Sequence, residues 1–386
     1  VTPASPDDVV TLEAQADHAL ARRDLAAAEA LLTQAASLSG GSLDLWMKMA
    51  AVRRGRANLE GALEAISQAL SIEPLAFMPL LLRSVTLADL GRADDAGEVA
   101  AAAMFHAPPA DRLPPALQAP LDRARRLADE HRAREADRLA RIAAAASEGG
   151  NVAERARIAR FVSNTLRGTR PFPQQPTHFH FPGLPVIEFF GPADLLWLDE
   201  LSAATAAVRA EFDALIAHEA AEIVPYIQYP ADVPLAQWRS LNHSRRWTAI
   251  HLLKNGEVVE ANARHCPRTM NLFGGFDQPA VAGRSPNLMF SLLQPGTRIP
   301  PHTGVTNTRL VTHLPLIVPP DCGFRVGGET REWRVGEAFA FDDTIEHEAW
   351  NDSAQLRVVL IGDVWRPELS ASERAAAGAV MAARAA

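Results

Sequence analysis

The sequence predicts a multidomain α + β chain: an N-terminal α-solenoid of helical repeats, a helical connector, and an antiparallel β-sandwich or small barrel. Three observations carry this. Small residues recur every 34 positions over residues 12–110. A long charged stretch then runs from Leu117 to about Ala146. From Ser291 to Trp365, short apolar runs are divided by Gly, Pro and Asp, the punctuation of closely spaced strands.

The repeat holds at three classes of position. Ala28, Ala62 and Ala96 are in phase, as are Ala35, Ala69 and Ala103, and Ala16, Ala50 and Ser84. Trp46 falls where a large residue is wanted in a first helix, with Leu12 and Leu80 as its equivalents. Gly40, Pro74 and Pro108 close the three units. A 34-residue helix-turn-helix period with small residues at helix crossings is the tetratricopeptide pattern. Generic Ala-rich helices would share the composition but not the phase. Stacked units present a concave groove suited to a peptide or protein partner. Three units are few, so the helices that follow are expected to cap the array.

Pro108-Pro109 and Pro114-Pro115 interrupt the array. Leu117 to Ala146 reads as a solvated spacer helix, and Val152 to Arg167 as another helix after the Gly149-Gly150-Asn151 turn. The boundaries expected are 1–110 for the repeats, 111–168 for the connector and 169–386 for the second domain. Arg170 to Pro185 holds five prolines and should wrap rather than fold. Its His178 and His180 are expected to be ordinary exposed or core histidines, not a second metal site. Ala193 to Ala221 reads as a helix on the barrel's outer face. Trp238 to Lys254, with Asn255-Gly256 after it, reads as a strand and turn. Arg245, Arg246 and Trp247 are weighed as lining a substrate mouth that favours an acidic substrate, against a structural Trp with surface arginines. Ala371 to Ala385 is an Ala-rich helix.

The chemistry concentrates after Ser291. His302 follows Pro300-Pro301, which cannot donate to a ladder, so it belongs at a strand end or in a loop. Thr308 to Val318 is a strand whose alternation puts Arg309 and His313 on one face. Thr330 to Val335 and Glu337 to Phe341 are expected to be strands, with His347 just past the second. Gln355 to Val364 is a strand with Arg357, Val359, Ile361 and Asp363 on one face. His302 and His347 can then meet near one mouth, where neutral imidazoles suit Fe(II) or Zn. Arg357 stands among Leu356, Val358, Val359 and Leu360, so it needs an anion, and a bidentate carboxylate is the natural one.

Several motifs carry a resemblance: Pro295-Gly296-Thr297, Pro301-His302-Thr303-Gly304, Thr306-Asn307, Arg309-Leu310, His313-Leu314, Phe341-Asp342-Asp343, Glu346-His347-Glu348, Trp350 and Asp363-Val364-Trp365. Over about a hundred residues the stretch resembles the catalytic domain of the aspartyl/asparaginyl β-hydroxylases, Fe(II)- and 2-oxoglutarate-dependent oxygenases on a double-stranded β-helix. The resemblance implies that His302 and His347 are the iron ligands. It implies that Arg357 pairs with the distal carboxylate of 2-oxoglutarate, with Ser291 and His313 completing that site. Asp343 would stand behind the ligands, and Trp247 and Arg309 would contact substrate. A triad carboxylate two residues after the first His is replaced by Gly304, so water would fill that position and iron affinity should be modest. The implied reaction uses O2 to hydroxylate the β-carbon of an Asp or Asn residue, in a peptide or protein docked by the repeats. Two other readings stand beside it: the same chemistry on a small metabolite, lipid or carrier-bound amino acid, and a non-catalytic repeat scaffold with a sensing barrel.

Composition bounds the rest. The 386 residues carry a formal charge of −8, which disfavours nonspecific nucleic-acid binding. No run of about 18 apolar residues offers a membrane segment. The first residues lack the basic and apolar regions of a signal peptide. Two cysteines, Cys266 and Cys322, make neither a disulfide framework nor a zinc site, and a cytoplasmic setting is expected.

Overall fold

The computed structural model describes residues 6–217, 221–230 and 232–384. The ends of two expected helices, at 218–220 and 385, lie outside the described residues. The chain divides into two compact units, one ending at Thr169 and one beginning at Arg170.

The first unit opens with three helix pairs: α1 (Pro6–Ala21) with α2 (Leu25–Ser39), α3 (Leu43–Gly55) with α4 (Leu59–Ile72), and α5 (Phe77–Asp89) with α6 (Ala93–Phe105). All nine in-phase small residues are fully buried, including the hydroxyl-bearing Ser84, which donates to the Leu81 carbonyl. Small side chains at the crossings let the helices approach, so the period is a packing rule. Asp24, Ser42 and Asn58 cap α2, α3 and α4 by accepting a backbone N–H. Gly40, at φ 77°, closes α2.

The long helix α7 (Gln118–Ala146) is not the free spacer that its charge suggests. Its first third buries Leu121, Ala124 and Ala128 against the array and so supplies the cap. The approach to α6 is close: a Cβ on Gly97 would lie 2.3 Å from His131 Cβ and 3.0 Å from the Leu127 carbonyl oxygen. On an open helix Gly→Ala would stabilise by about 1 kcal/mol. Here Gly97→Ala should instead cost ~1–3 kcal/mol by overpacking, read as a lower urea midpoint in the helical CD signal. Helix α8 (Val152–Thr165) follows, its start fixed by the reciprocal Asn151–Glu154 capping box.

Among the described residues the second unit holds twelve strands: β1 (Phe189–Phe190), β2 (Val224–Pro225), β3 (Trp247–Lys254), β4 (Glu257–Val258), β5 (Leu288–Leu293), β6 (Thr297–His302), β7 (Arg309–Ile317), β8 (Cys322–Val326), β9 (Glu329–Arg331), β10 (Phe339–Phe341), β11 (His347–Asn351) and β12 (Arg357–Trp365). They form two antiparallel sheets. The larger runs β1-β10-β7-β12-β5-β3-β2 with β4 on β3; the smaller runs β6-β11-β8-β9.

Alternation along β12 separates two cores. Val358, Leu360 and Val364 join a cluster with helices α9 (Trp197–Ala203) and α10 (Thr205–Ala217) on the outer face. Val359 and Ile361 join the inner cluster between the sheets, on the face that also carries Arg357 and Asp363. Two short helices, α11 (Glu260–Ala263) and α12 (Pro267–Gly274), follow the β3–β4 hairpin, whose Asn255-Gly256 turn has φ 54° and 87°. The last helix, α13 (Ala371–Ala383), buries Met381 near Thr308. Arg284 fastens it by donating to the Met381 and Arg384 carbonyls.

Some expected bounds change. The Ala193–Ala221 helix is two helices, broken at Ala204. The strand expected from Trp238 starts only at Trp247, because His243 takes φ 53° and the Asn242 amide is bonded to both backbone groups of Tyr229. Strands β8 and β11 were not anticipated, and Thr330–Val335 shrinks to β9. Gly323 obscured β8: glycine weakens a strand signal, yet here it makes room for Trp350, whose ring lies 2.1 Å from where a Cβ would stand. The proline-rich segment wraps as expected. Gln174 donates to Asp342 Oδ2 at 2.6 Å, and Phe179 bridges to Thr306. Among the described residues no helix is long and apolar enough to cross a membrane.

Candidate active site

The smaller sheet brings the two histidines together. His302 ends β6 and His347 begins β11, and the two are direct cross-strand partners with ring centroids 4.0 Å apart. Because β6 is an edge strand, Pro300 and Pro301 cost the sheet nothing on its open side. His302 Nδ1 lies 2.8 Å from the Pro300 carbonyl oxygen and His347 Nδ1 3.0 Å from that of Ile345. A carbonyl only accepts, so each Nδ1 carries the proton and each Nε2 keeps its lone pair. Metal-binding imidazoles are held in this way. Burial pushes both rings below the ordinary histidine range, which keeps them neutral. Among the described residues no group of three His, Cys, Asp or Glu side chains is placed to hold a metal.

Arg357 begins β12 and is 2% exposed. Its Nη1 is 3.5 Å from Ser291 Oγ, and its Nε has no hydrogen-bond partner. Burial lowers it to about 10, so it remains a cation at neutral pH. The guanidinium lies 4.7 Å over the Trp333 ring. Ser291 also accepts from Trp247 Nε1 at 3.1 Å. Trp333 Nε1 donates to His313 Nδ1 at 3.3 Å, which puts the proton of that neutral ring on Nε2. Burial and the nearby Arg357 together hold His313 well below its usual range.

Asp343 packs against the first histidine's loop. A Cβ on Gly304 would lie 2.1 Å from Asp343 Oδ2, so the carboxylate occupies the space a side chain there would need. Arg309 Nη2 is 3.0 Å from Asp343 Oδ2 and its Nη1 3.1 Å from Asp363 Oδ1. Asn287 steadies Asp363 with two bonds of 2.9 Å. Burial raises Asp343 to about 6, opposed by Arg309. Arg309, expected to contact substrate, is thus committed to two carboxylates. Arg245 and Arg246 do not line the cavity, and Arg246 donates to the Gly296 carbonyl. His178 and His180 are exposed, and His178 stands at the mouth of the cavity.

These groups open onto a cavity of about 430 Å³ lined by His302, His347, Arg357, Ser291, His313 and Trp247, among others. The neutral imidazoles make the fold sensitive to acid. The unfolded chain binds protons below about 6.5 that buried His302, His313 and His347 refuse, and His251 is pushed to about 4. Their contribution is present above that pH and is lost as pH falls through it. Asp343 works the other way between 3.8 and about 6, since the native state keeps its proton there. With four rings against one carboxylate, the urea midpoint should fall between about pH 7.5 and about pH 5.5. A flat or rising midpoint would contradict this.

Residues 202–367 match the family model for aspartyl/asparaginyl beta-hydroxylase. The chain is similar to this family over most of its C-terminal unit. Over 141 residues it is 36% identical to the mouse aspartyl/asparaginyl beta-hydroxylase, covering 36% of this chain and 19% of that protein. It is 32% identical over 220 residues to aspartate beta-hydroxylase domain-containing protein 2 of Xenopus tropicalis, covering 55% of this chain and 56% of that one. It is also 32% identical over 184 residues to the ornithine lipid ester-linked acyl 2-hydroxylase of Rhizobium tropici, covering 46% and 60%. The chain spans less than two thirds of each of these relatives. The Sgt2 tetratricopeptide domain of Aspergillus fumigatus aligns over 33% of the chain at 20% identity and a TM-score of 0.29, too distant to add to the helix pairing already described.

Three aromatic groups of this unit are not legible in the sequence. Trp333 touches both Arg357 and His313, Tyr226 stacks on Trp247 at 3.8 Å, and Trp238 meets the His302 ring edge-on at 5.0 Å. Tyr226 and Trp333 sit in irregular backbone and Trp238 ends a single 3-10 turn, Ala236–Trp238, too short for a period to point the side chain anywhere. The one available signal was Trp333 itself, a large aromatic between two charged residues in a segment otherwise read as a strand.

Proposed function

We propose that this unit is an Fe(II)- and 2-oxoglutarate-dependent dioxygenase that hydroxylates an unactivated C–H bond. The observation that carries the reading is Arg357: a buried guanidinium with no carboxylate within ion-pair distance among the described residues, opening onto the same cavity as two tautomer-fixed histidines. Such a cation calls for an anionic ligand, and a keto-diacid offers a carboxylate to the arginine and a chelating end to a metal. Iron with 2-oxoglutarate would supply O2 activation, with succinate and CO2 as co-products.

The protein's own residues do the positioning. His302 and His347 offer two Nε2 lone pairs. Arg357 and Ser291 hold the distal carboxylate, and His313 offers an Nε2 proton toward the same diacid. Trp247, Trp333 and Phe341 keep water from the wall. Two neutral imidazoles make a weak iron site, so the metal should be lost easily on chelation.

The family's name favours an Asp or Asn residue, in a peptide or protein held by the repeat groove. The match to an acyl 2-hydroxylase favours a second reading, a lipid substrate. The test is succinate release and a mass gain of one oxygen with Fe(II), 2-oxoglutarate, O2 and panels of peptides and lipids. His302→Ala and His347→Ala should each lower both signals by at least about a thousandfold, the scale on which a whole catalytic centre is lost. Wild-type succinate release from either variant would end the proposal.

A further inference from the structure

The charges around the cavity discriminate between those two substrates. Among the described residues, Arg357 is the one Lys or Arg side chain that lines it. Arg309 is engaged by Asp343 and Asp363, Arg246 donates to the Gly296 carbonyl, and neither Arg245 nor Arg246 lines the cavity. Asp343 itself borders the cavity beside Gly304. Once 2-oxoglutarate takes Arg357, a reading on which this inference rests, no Lys or Arg among the described lining residues is left for a second carboxylate. An aspartyl side chain at the histidine pair would be buried without a partner and close to Asp343. Burying an unpaired carboxylate is strongly unfavourable, and a like charge nearby adds to it.

The remaining wall suits a different guest. Ile227, Ile299, Val311, Phe341, Ala349 and Ile361 give it an uncharged, apolar surface. At the mouth, Tyr229 and Val305 are 40% and 38% exposed, an apolar rim. Polar groups occur there too: His178 Nδ1 lies 2.9 Å from Thr177 Oγ1, and both residues line the opening.

We infer that the group oxidised by this protein is an uncharged aliphatic segment, the acyl tail of an amphiphile whose polar head stays at the mouth, and not an aspartyl side chain. The step balances as an aliphatic C–H bond plus O2 plus 2-oxoglutarate giving an aliphatic C–OH group, succinate and CO2. One oxygen atom enters the acyl tail and the other enters succinate. The lost carboxyl carbon leaves as CO2, and the keto-acid supplies the two electrons.

Occupancy can be read without turnover, because Trp238, Trp247 and Trp333 line the cavity and report by fluorescence. 2-Oxoglutarate is titrated first into the full-length protein and into Arg357→Met. If the wild type fails to bind it, the cofactor reading falls and this inference falls with it. Octanoyl-glycinamide and acetyl-aspartate amide are then titrated separately, anaerobically, with Fe(II) and 2-oxoglutarate present. The acyl probe should bind at least about tenfold more tightly than the aspartyl one, a difference of about 1.4 kcal/mol. In air the acyl probe should also gain one oxygen. A ratio below tenfold, tighter binding of the aspartyl probe, or no binding of the acyl probe overturns the inference. With 2-oxoglutarate bound, the two probe titrations alone decide the inference.

Discussion

Replacing Arg357 by methionine is expected to abolish 2-oxoglutarate binding and, at the same time, to stabilise the ligand-free protein. Both effects follow from one feature. The residue is 2% exposed, its Nε lacks a partner, and its Nη1 lies 3.5 Å from Ser291 Oγ. The fold therefore holds a desolvated cation whose counter-charge must come from a ligand. Removing one member of such a pair costs about 3–5 kcal/mol of binding, or roughly a few hundred- to a few thousandfold in affinity. In the ligand-free protein the same substitution removes an uncompensated charge and fills its space with an apolar side chain, worth about 1–4 kcal/mol in favour of folding. The melting temperature should rise by several degrees. Added 2-oxoglutarate should raise the wild-type melting temperature by mass action and leave that of Arg357→Met unmoved. Unchanged turnover in the variant, or a fall in its ligand-free stability, would sink this account of Arg357.

Gly304→Ala is expected to be as damaging to activity, and damaging to the fold as well. The new methyl group would overlap the Asp343 carboxylate, 2.1 Å from Oδ2. Displacing that carboxylate also breaks its pair with Arg309 and disturbs Asp363 beyond. Overpacking costs ~1–3 kcal/mol and a disrupted buried pair about 3–5 kcal/mol. Gly304→Asp, which would place a carboxylate two residues after His302, should fail for the same reason and yield no third metal ligand. A double-mutant cycle checks the mechanism. With Asp343→Ala in place the collision is gone, so the double variant should lose less stability than the sum of the singles. Additive losses would mean that Gly304 matters for its own backbone and not for the space it leaves to Asp343.

Much of the fold was legible because periodic burial leaves a periodic trace. The 34-residue phase placed nine small residues at crossings, and each proves fully buried. Strand β12 was legible for the same reason, its alternate residues dividing between the two cores. The bounds that failed lie where local signals conflict with packing. Gly323 spoke against a strand, and only the Trp350 ring across the sheet explains it. The charged face of α7 spoke for a free spacer, although three small or apolar residues in its first third were enough to dock it.

The sequence by itself determined the helical array and the antiparallel second unit, and it marked out His302, His347 and Arg357 as candidates for a metal and an anion, because each depends on residue type and spacing along the chain. Only the tertiary structure decided which charges remain free. Arg309 and Arg357 stand in similar apolar strands, yet Arg309 meets two carboxylates brought from β12 and from the turn before β11, while Arg357 meets aromatic rings and a hydroxyl. The reason is electrostatic. Whether a buried charge is spent or available depends on which distant segments fold against it, and spacing along the sequence does not record that.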